Sequence, residues 1–365
     1  MSERHAACSV QTEDGHRVTG DGRRATIIGL VAVTLLAVTA CADDDEQTVR
    51  LVTHGDFAIS ASVLEAFTAE TGITVEVLDG GSAGVVVNQA VLSAGNPVAD
   101  VLFGVDNVLL SRPLAAEVFV PYTSPNLAAV SPALIIDQEH RVSPIDYGDI
   151  CVNYDLQAFE QTPPPSSLLD LADPAYRGMT VVQDPTLSSP GLGFMLATIA
   201  EFGEAGAYTW LEYWADLRAN DIVVVSSWST AYFDRFSGAR AGGDLPIVVS
   251  YATSPAAEVV YSEDPDTVAS TASMTEGCFR QIEFAGILRG TRNLEAAQRL
   301  IDFMLDRTFQ EDIPENMFVY PARPDATLHP AFGTPPDPAA STLDPDTIEA
   351  NRDRWLAEWV EVVLR

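Results

Sequence analysis

Apolar residues fall in short runs separated by polar turns, and their period alternates between two and 3.6. Residues 49–53 read as a short apolar strand. Residues 60–70 place Val63, Leu64 and Phe67 on one helical face, and Gly72 stops the helix. Residues 73–78 alternate as a strand, 83–94 read as a helix ended by Gly95, and 99–103 as a buried strand. This β-α-β-α-β order predicts a parallel sheet covered by helices. A second set follows: strands at 179–183, 222–225 and 247–251, with helices at 190–202, 205–219, 229–236 and 255–261. Two segments, 142–154 and 278–288, read as bridges between the halves. Beyond them come a helix at 293–305, a Pro-rich surface connection at 324–345 over the first domain, and a helix at 347–364. That last helix carries Trp355 and Trp359 at i,i+4, the spacing of a packing stripe.

Before residue 49 the pattern changes. Arg23 and Arg24 precede an apolar run, 25–38, that is short for a bilayer span and suits the core of an export signal. It ends in Val38-Thr39-Ala40-Cys41, which resembles the lipobox of bacterial lipoproteins, with Cys41 as the lipidated residue. A plain signal peptide with an incidental cysteine is the alternative. The expected organisation is a signal peptide at 1–40 and an acidic tether at 41–48. Lobe 1 then takes 49–143 and 278–365, including the C-terminal helix, and lobe 2 takes 144–277 with hinge strands at its ends. The protein is expected to be exported and held by lipid on the outer face of the cytoplasmic membrane.

Composition narrows the function. The 365 residues are 47% hydrophobic, enough for two cores, and the formal charge is −32. All 20 basic residues are Arg. The acidity argues against nucleic acid and against an anionic membrane surface. The absence of Lys removes the P-loop and any Schiff-base chemistry. No His-based metal motif, nucleophile elbow or dinucleotide fingerprint is present, so no catalytic residue, metal ligand or cofactor is assigned. Cys8 goes with the signal and Cys41 takes lipid. Cys151 and Cys278 are left, in an oxidising compartment, as one bridge or two buried thiols.

Four polar clusters follow predicted strands: His54-Gly55-Asp56-Phe57, Gly104-Val105-Asp106-Asn107, Asp184 through Ser188-Ser189-Pro190-Gly191, and Trp228-Ser229-Thr230-Ala231-Tyr232 with the later Tyr251-Ala252-Thr253-Ser254. In the third, Ser188 or Ser189 can cap a helix opening at Pro190, whose free N–H groups suit an anion; an ordinary capped helix is the plainer reading. Asp56, Asp106 and Asp184 favour a cation. Trp228, Tyr232, Tyr251, Phe318 and Tyr320 can stack on a flat or cationic ring, or simply fill the core.

These clusters, with Asp146-Tyr147-Gly148, 183–193 and 313–321, resemble the periplasmic thiamine-binding proteins of ABC importers over almost the whole chain from 49 onward. The resemblance implies an α/β, two-lobed type II periplasmic-binding-protein fold with the ligand in the interlobe cleft and two hinge crossovers. It implies capture of thiamine or a thiamine phosphate by cleft closure, delivery to an ABC permease with its ATPase, and action as a monomer. The implied ligand-binding set is His54, Asp56, Phe57, Asp106, Tyr147, Asp184, Ser188, Ser189, Gly191, Trp228, Tyr232, Tyr251, Ser254, Phe318 and Tyr320. Two aromatic positions of the family hold small or aliphatic residues here, near 59–60 and 256–257. Cys151 and Cys278 are expected to be bridged on adjacent hinge strands. Competing readings are a site for another cationic or phosphorylated solute such as a polyamine, a sensor domain, or a secreted hydrolase using Ser188 or Ser189 with His54.

Overall fold

A computed structural model describes residues 47–238, 242–264, 266–333 and 341–365. Cys41 and the expected signal peptide lie outside the described residues. Eight strands form one continuous path. They are β1 (Gln47–Thr53), β2 (Ile73–Asp79), β3 (Val101–Asp106), β4 (Ser143–Asp155), β5 (Thr180–Gln183), β6 (Val223–Val225), β7 (Ile247–Tyr251) and β8 (Phe279–Leu288), in the order β2-β1-β3-β8-β4-β7-β5-β6. β1 begins at Gln47, inside the expected tether, because Gln47 already pairs with Ile73.

The two ends of this path are parallel and its middle is antiparallel. β1 pairs in parallel with β2 and β3, and β5 with β6 and β7. The long strands β4 and β8 run antiparallel to each other and join the two parallel groups. Each group buries its own core. The first contains Leu51, Phe67, Phe103, Phe284 and Leu300; the second contains Val152, Phe194, Trp214, Val249 and Phe279. Two lobes therefore share β4 and β8. Cys151 on β4 and Cys278, just before β8, are disulfide-bonded with Cα atoms 4.4 Å apart.

The helices follow local signals. Gly72 closes α1 (Ala61–Thr71) in the left-handed region, φ 71°. Ala83–Leu92 is α2, and Ser189–Phe202 is α3, with Pro190 in its first turn. α4 is Trp210–Ala219. It begins later than its apolar pattern predicts because Thr209 and Glu212 form a capping box. The residues expected as a helix at 229–236 form a π-helical stretch, Thr230–Arg235. After it come α5 (Ser254–Val260) and α6 (Leu294–Met304). α7 (Arg307–Met317) has no counterpart among the predicted elements; its internal Pro314 masks it, while Asp306 caps it through the Thr308 amide.

Two expectations about the C-terminal region are corrected. α8 (Pro345–Val363) was assigned to lobe 1, but Trp355 and Trp359 pack in the second core. The Trp359 ring meets Trp214 at 5.5 Å, edge to face. The Pro-rich connection starts over the first domain, where Asp325 and Thr327 bond to Arg307 and Glu311 of α7, but then leaves it: Leu328, Ala331 and Phe332 pack with Ala256 and Val260 of α5. The physical reason is shared. The apolar faces of α4 and α5 need cover, and these segments supply it.

Candidate functional site

The strand ends and helix starts of both lobes meet at a cavity of about 110 Å³. From the first lobe it is lined by His54, Asp56, Met317 and Phe318; from the second by Ser188, Ser189, Trp228 and Tyr251; and from β8 by Gln281 and Glu283. A second cavity of about 450 Å³ shares Trp228, Asn316 and Phe318 as a wall and adds Tyr232, Phe233, Ser254, Ala257 and Tyr261. Together they fall within the usual size of a small-molecule site.

Gly104 positions His54. Its φ is +90°, and a Cβ there would overlap the imidazole at 2.2 Å. His54 Nδ1 accepts the Asp56 amide at 3.2 Å, which leaves Nε2–H facing Glu283 Oε1 at 3.2 Å. Burial pulls the His54 pKa down; Glu283, with Asp56 and Asp106, more than offsets this, and the net shift is upward. His54 thus faces Glu283 rather than Ser188 or Ser189. Ser189 lines the cavity, and its buried hydroxyl lies beside Asp106, whose pKa it pulls down against the effect of burial.

Aromatic rings make the opposite wall. Trp228 stacks on Tyr232, centroids 5.1 Å apart and planes 13° apart. Its Nε1–H donates to Ser250 Oγ at 2.9 Å, and Ser250 shares a 2.8 Å bond with Ser254. Tyr251 donates to Gln281 Oε1 at 2.7 Å, and Gln281 Nε2 donates to Asp106 at 3.0 Å. Phe318 ends α7 at φ 58°, a strained conformation for a bulky residue, which holds its ring between the two cavities.

The remaining expected site residues lie elsewhere. Asp106 is fully buried behind the cavity wall; burial raises its pKa to about 6. Phe57 packs edge-on against Phe103 in the first core. Asp184 caps its own turn by accepting from Thr186. Gly191 lets α3 approach β5, since a Cβ would come within 2.5 Å of the Gln183 carbonyl. Tyr147 and Tyr320 stack on each other at 5.5 Å on the other face of the hinge, where Arg280 covers Tyr147. Strand alternation explains this, because consecutive residues point to opposite faces and Asp146 takes the cleft side. The hollow on Tyr147's side is larger, about 880 Å³, but its two arginines are committed: Arg280 to Asp149 and Arg323 to Asp325.

Glu283, Gln281, Asn316 and Tyr261 line the cavities without having been singled out in the sequence. The available signal was Glu283 itself, an acid within the apolar strand Gln281-Ile282-Glu283-Phe284.

Comparison with known proteins places this geometry. Residues 96–351 match the family described as bacterial extracellular solute-binding protein. A thiamine-binding periplasmic protein of Salmonella typhimurium is 30% identical over 315 residues, 85% of this chain and 90% of the relative. One from Brucella suis is 30% identical over 351 residues, 93% of this chain and 99% of the relative. A solved structure described as a periplasmic thiamin binding protein superposes with a TM-score of 0.76 at 26% identity, covering 87% of this chain and 96% of that one. The fold the two share is the two-lobed type II arrangement. The chain belongs to the bacterial extracellular solute-binding proteins.

Proposed function

We propose that this protein captures thiamine or one of its phosphate esters outside the cytoplasm and hands it to the permease and ATPase of an ABC importer. The observation that carries this reading is the cavity that sets Trp228, Tyr251 and Phe318 beside Glu283 and Asp56. Thiamine has two aromatic rings and a fixed positive charge. Stacking rings meet the first and carboxylates the second. The start of α3, with Ser188 and Ser189, offers amide and hydroxyl donors to a hydroxyl or phosphate end. Relatives that are 30% identical and bear the thiamine-binding name support the same ligand. Lipidation at Cys41 and a monomeric state complete the proposal.

The test is a calorimetric titration of ligand-stripped protein, residues 42–365, with thiamine, its monophosphate and its diphosphate. Sub-micromolar affinity for one of them, on the order of −8 kcal/mol or tighter, is expected. A folded sample that binds none of the three overturns the ligand assignment.

A further inference from the structure

Glu283 stands at the centre of a row of acids. Its register partners are Asp106 on β3 and Asp146 on β4, so three carboxyl groups share one face of three adjacent strands. All three are buried. Glu283 alone of them reaches the cavity wall. Asp106 is tied to Gln281 and to the Val108 and Leu109 amides. Asp146 has no hydrogen-bond partner on either oxygen unless it carries a proton, which it can then give to Glu283.

The groups facing Glu283 come from every neighbouring element: His54 and Asp56 from the loop after β1, Asp106 from β3, Asp146 from β4 and the Tyr251 phenol from β7. Arg280, on β8 itself, is committed to Asp149. Among the described residues, His54 is thus the sole cationic group set against three buried acids and Asp56. A buried carboxylate without a counter-charge is costly, and two that face each other hold a proton between them. Ser189, which lines the same cavity, sets its buried hydroxyl beside Asp106 and so ties this row of acids to the cavity wall.

We propose that Glu283, backed by Asp106 and Asp146, selects a positive charge in the cleft, and that the bound cation displaces a proton from this cluster into solvent. The inference rests on the thiamine reading and adds to it the residue that reads the charge. Burial and Glu283 hold Asp146 well above the usual carboxylate range, and burial brings Asp106 to about 6. A fixed positive charge beside Glu283 favours the ionised acids and disfavours a proton on His54, so every group in the cluster shifts toward release.

The experiment is calorimetry with thiamine at pH 6.5 in phosphate and in Tris, whose ionisation enthalpies differ. The observed heats are expected to differ by an amount equal to roughly half to one proton released per thiamine, shrinking at pH 8.5. Glu283→Gln is expected to weaken thiamine about tenfold or more. It should weaken far less a neutral analogue in which carbon replaces the quaternary nitrogen. Asp146→Asn should still bind thiamine while releasing fewer protons. Thiamine binding with buffer-independent heats overturns this inference and leaves the ligand reading standing. Equal losses for thiamine and the neutral analogue in Glu283→Gln overturn the charge selection. Failure of the unsubstituted protein to bind thiamine overturns the ligand reading, and this inference with it.

Discussion

Ser229 donates a 2.5 Å hydrogen bond to Asp56 across 173 residues of sequence, and the two belong to opposite lobes. Two further bonds span the same mouth: Tyr261 Oη to the Glu315 carbonyl at 2.5 Å, and Thr253 to the Phe318 carbonyl. The lobes are therefore clasped above the cavity. A hydrogen bond to a charged partner contributes about 1.5–3 kcal/mol, and this one is available only when the lobes are together. Ser229→Ala should weaken ligand binding by about tenfold and enlarge the solution dimensions measured by X-ray scattering. Unchanged scattering and affinity would show that the clasp does not hold the cleft.

Trp228 separates the two cavities and is fixed by Tyr232 on one face and by Ser250 at its nitrogen. Trp228→Ala should lower thiamine affinity by about tenfold or more through lost stacking and area. Trp228→Phe should recover part of it. Ligand-induced fluorescence quenching should also vanish in both variants, since the other four tryptophans, all fully buried, lie away from the cleft. Quenching that survives in Trp228→Ala would place the ligand elsewhere.

Gly104 is needed twice over, for its positive φ and for the space the His54 ring occupies. Gly104→Ala should destabilise the fold by about 1–3 kcal/mol and move His54 off Glu283. A urea melt gives the first quantity. The imidazole proton titration, followed by NMR, reports the second as a pKa displaced from that of the unsubstituted protein.

The Cys151–Cys278 bond closes a loop of 127 residues, which contains most of the second lobe. A loop of that length implies about 4–5 kcal/mol of stabilisation from restricting the unfolded chain. The Cys151→Ser, Cys278→Ser double variant should melt at correspondingly lower urea, and reductant should shift only the unsubstituted protein.

Asp106 gives a pH signature whose sign is fixed. Its folded pKa, about 6, lies above its ordinary value, so the native state binds the extra proton. Its contribution to stability is therefore greatest at low pH and is lost as pH rises from about 4 to about 6, by about 3 kcal/mol in all. Relative to Asp106→Asn, the unsubstituted protein should lose stability across that window and run parallel above pH 7. An unsubstituted protein that gains stability relative to Asp106→Asn as pH rises through that window would reverse the assignment.

Much of this was legible in the chain. Short apolar runs with glycine stops located the strands and helices, because burial and termination are local properties. His54, Asp56, Ser188, Ser189, Trp228, Tyr251 and Phe318 do meet at one cavity, because strand ends and helix starts converge there. Tyr147 was misjudged because strand alternation gave the cleft to its neighbour Asp146. Glu283 was passed over because the segment 278–288 reads only as a bridge between the halves, in which one acid among apolar residues carries no pattern. The lobe covered by Trp355 and Trp359 was not readable, since a helical stripe states that it packs and not on what.

The wiring of the two cores has a consequence for how the molecule comes to be. The first core needs residues from Val49 to Ala322, and the second from Val108 to Val363. Neither can close on a nascent segment, because each waits for strands and helices emitted hundreds of residues later. Such long-range pairing folds slowly. Native packing of either lobe thus waits for almost the whole chain, and a partly emerged chain holds neither finished core nor finished cleft.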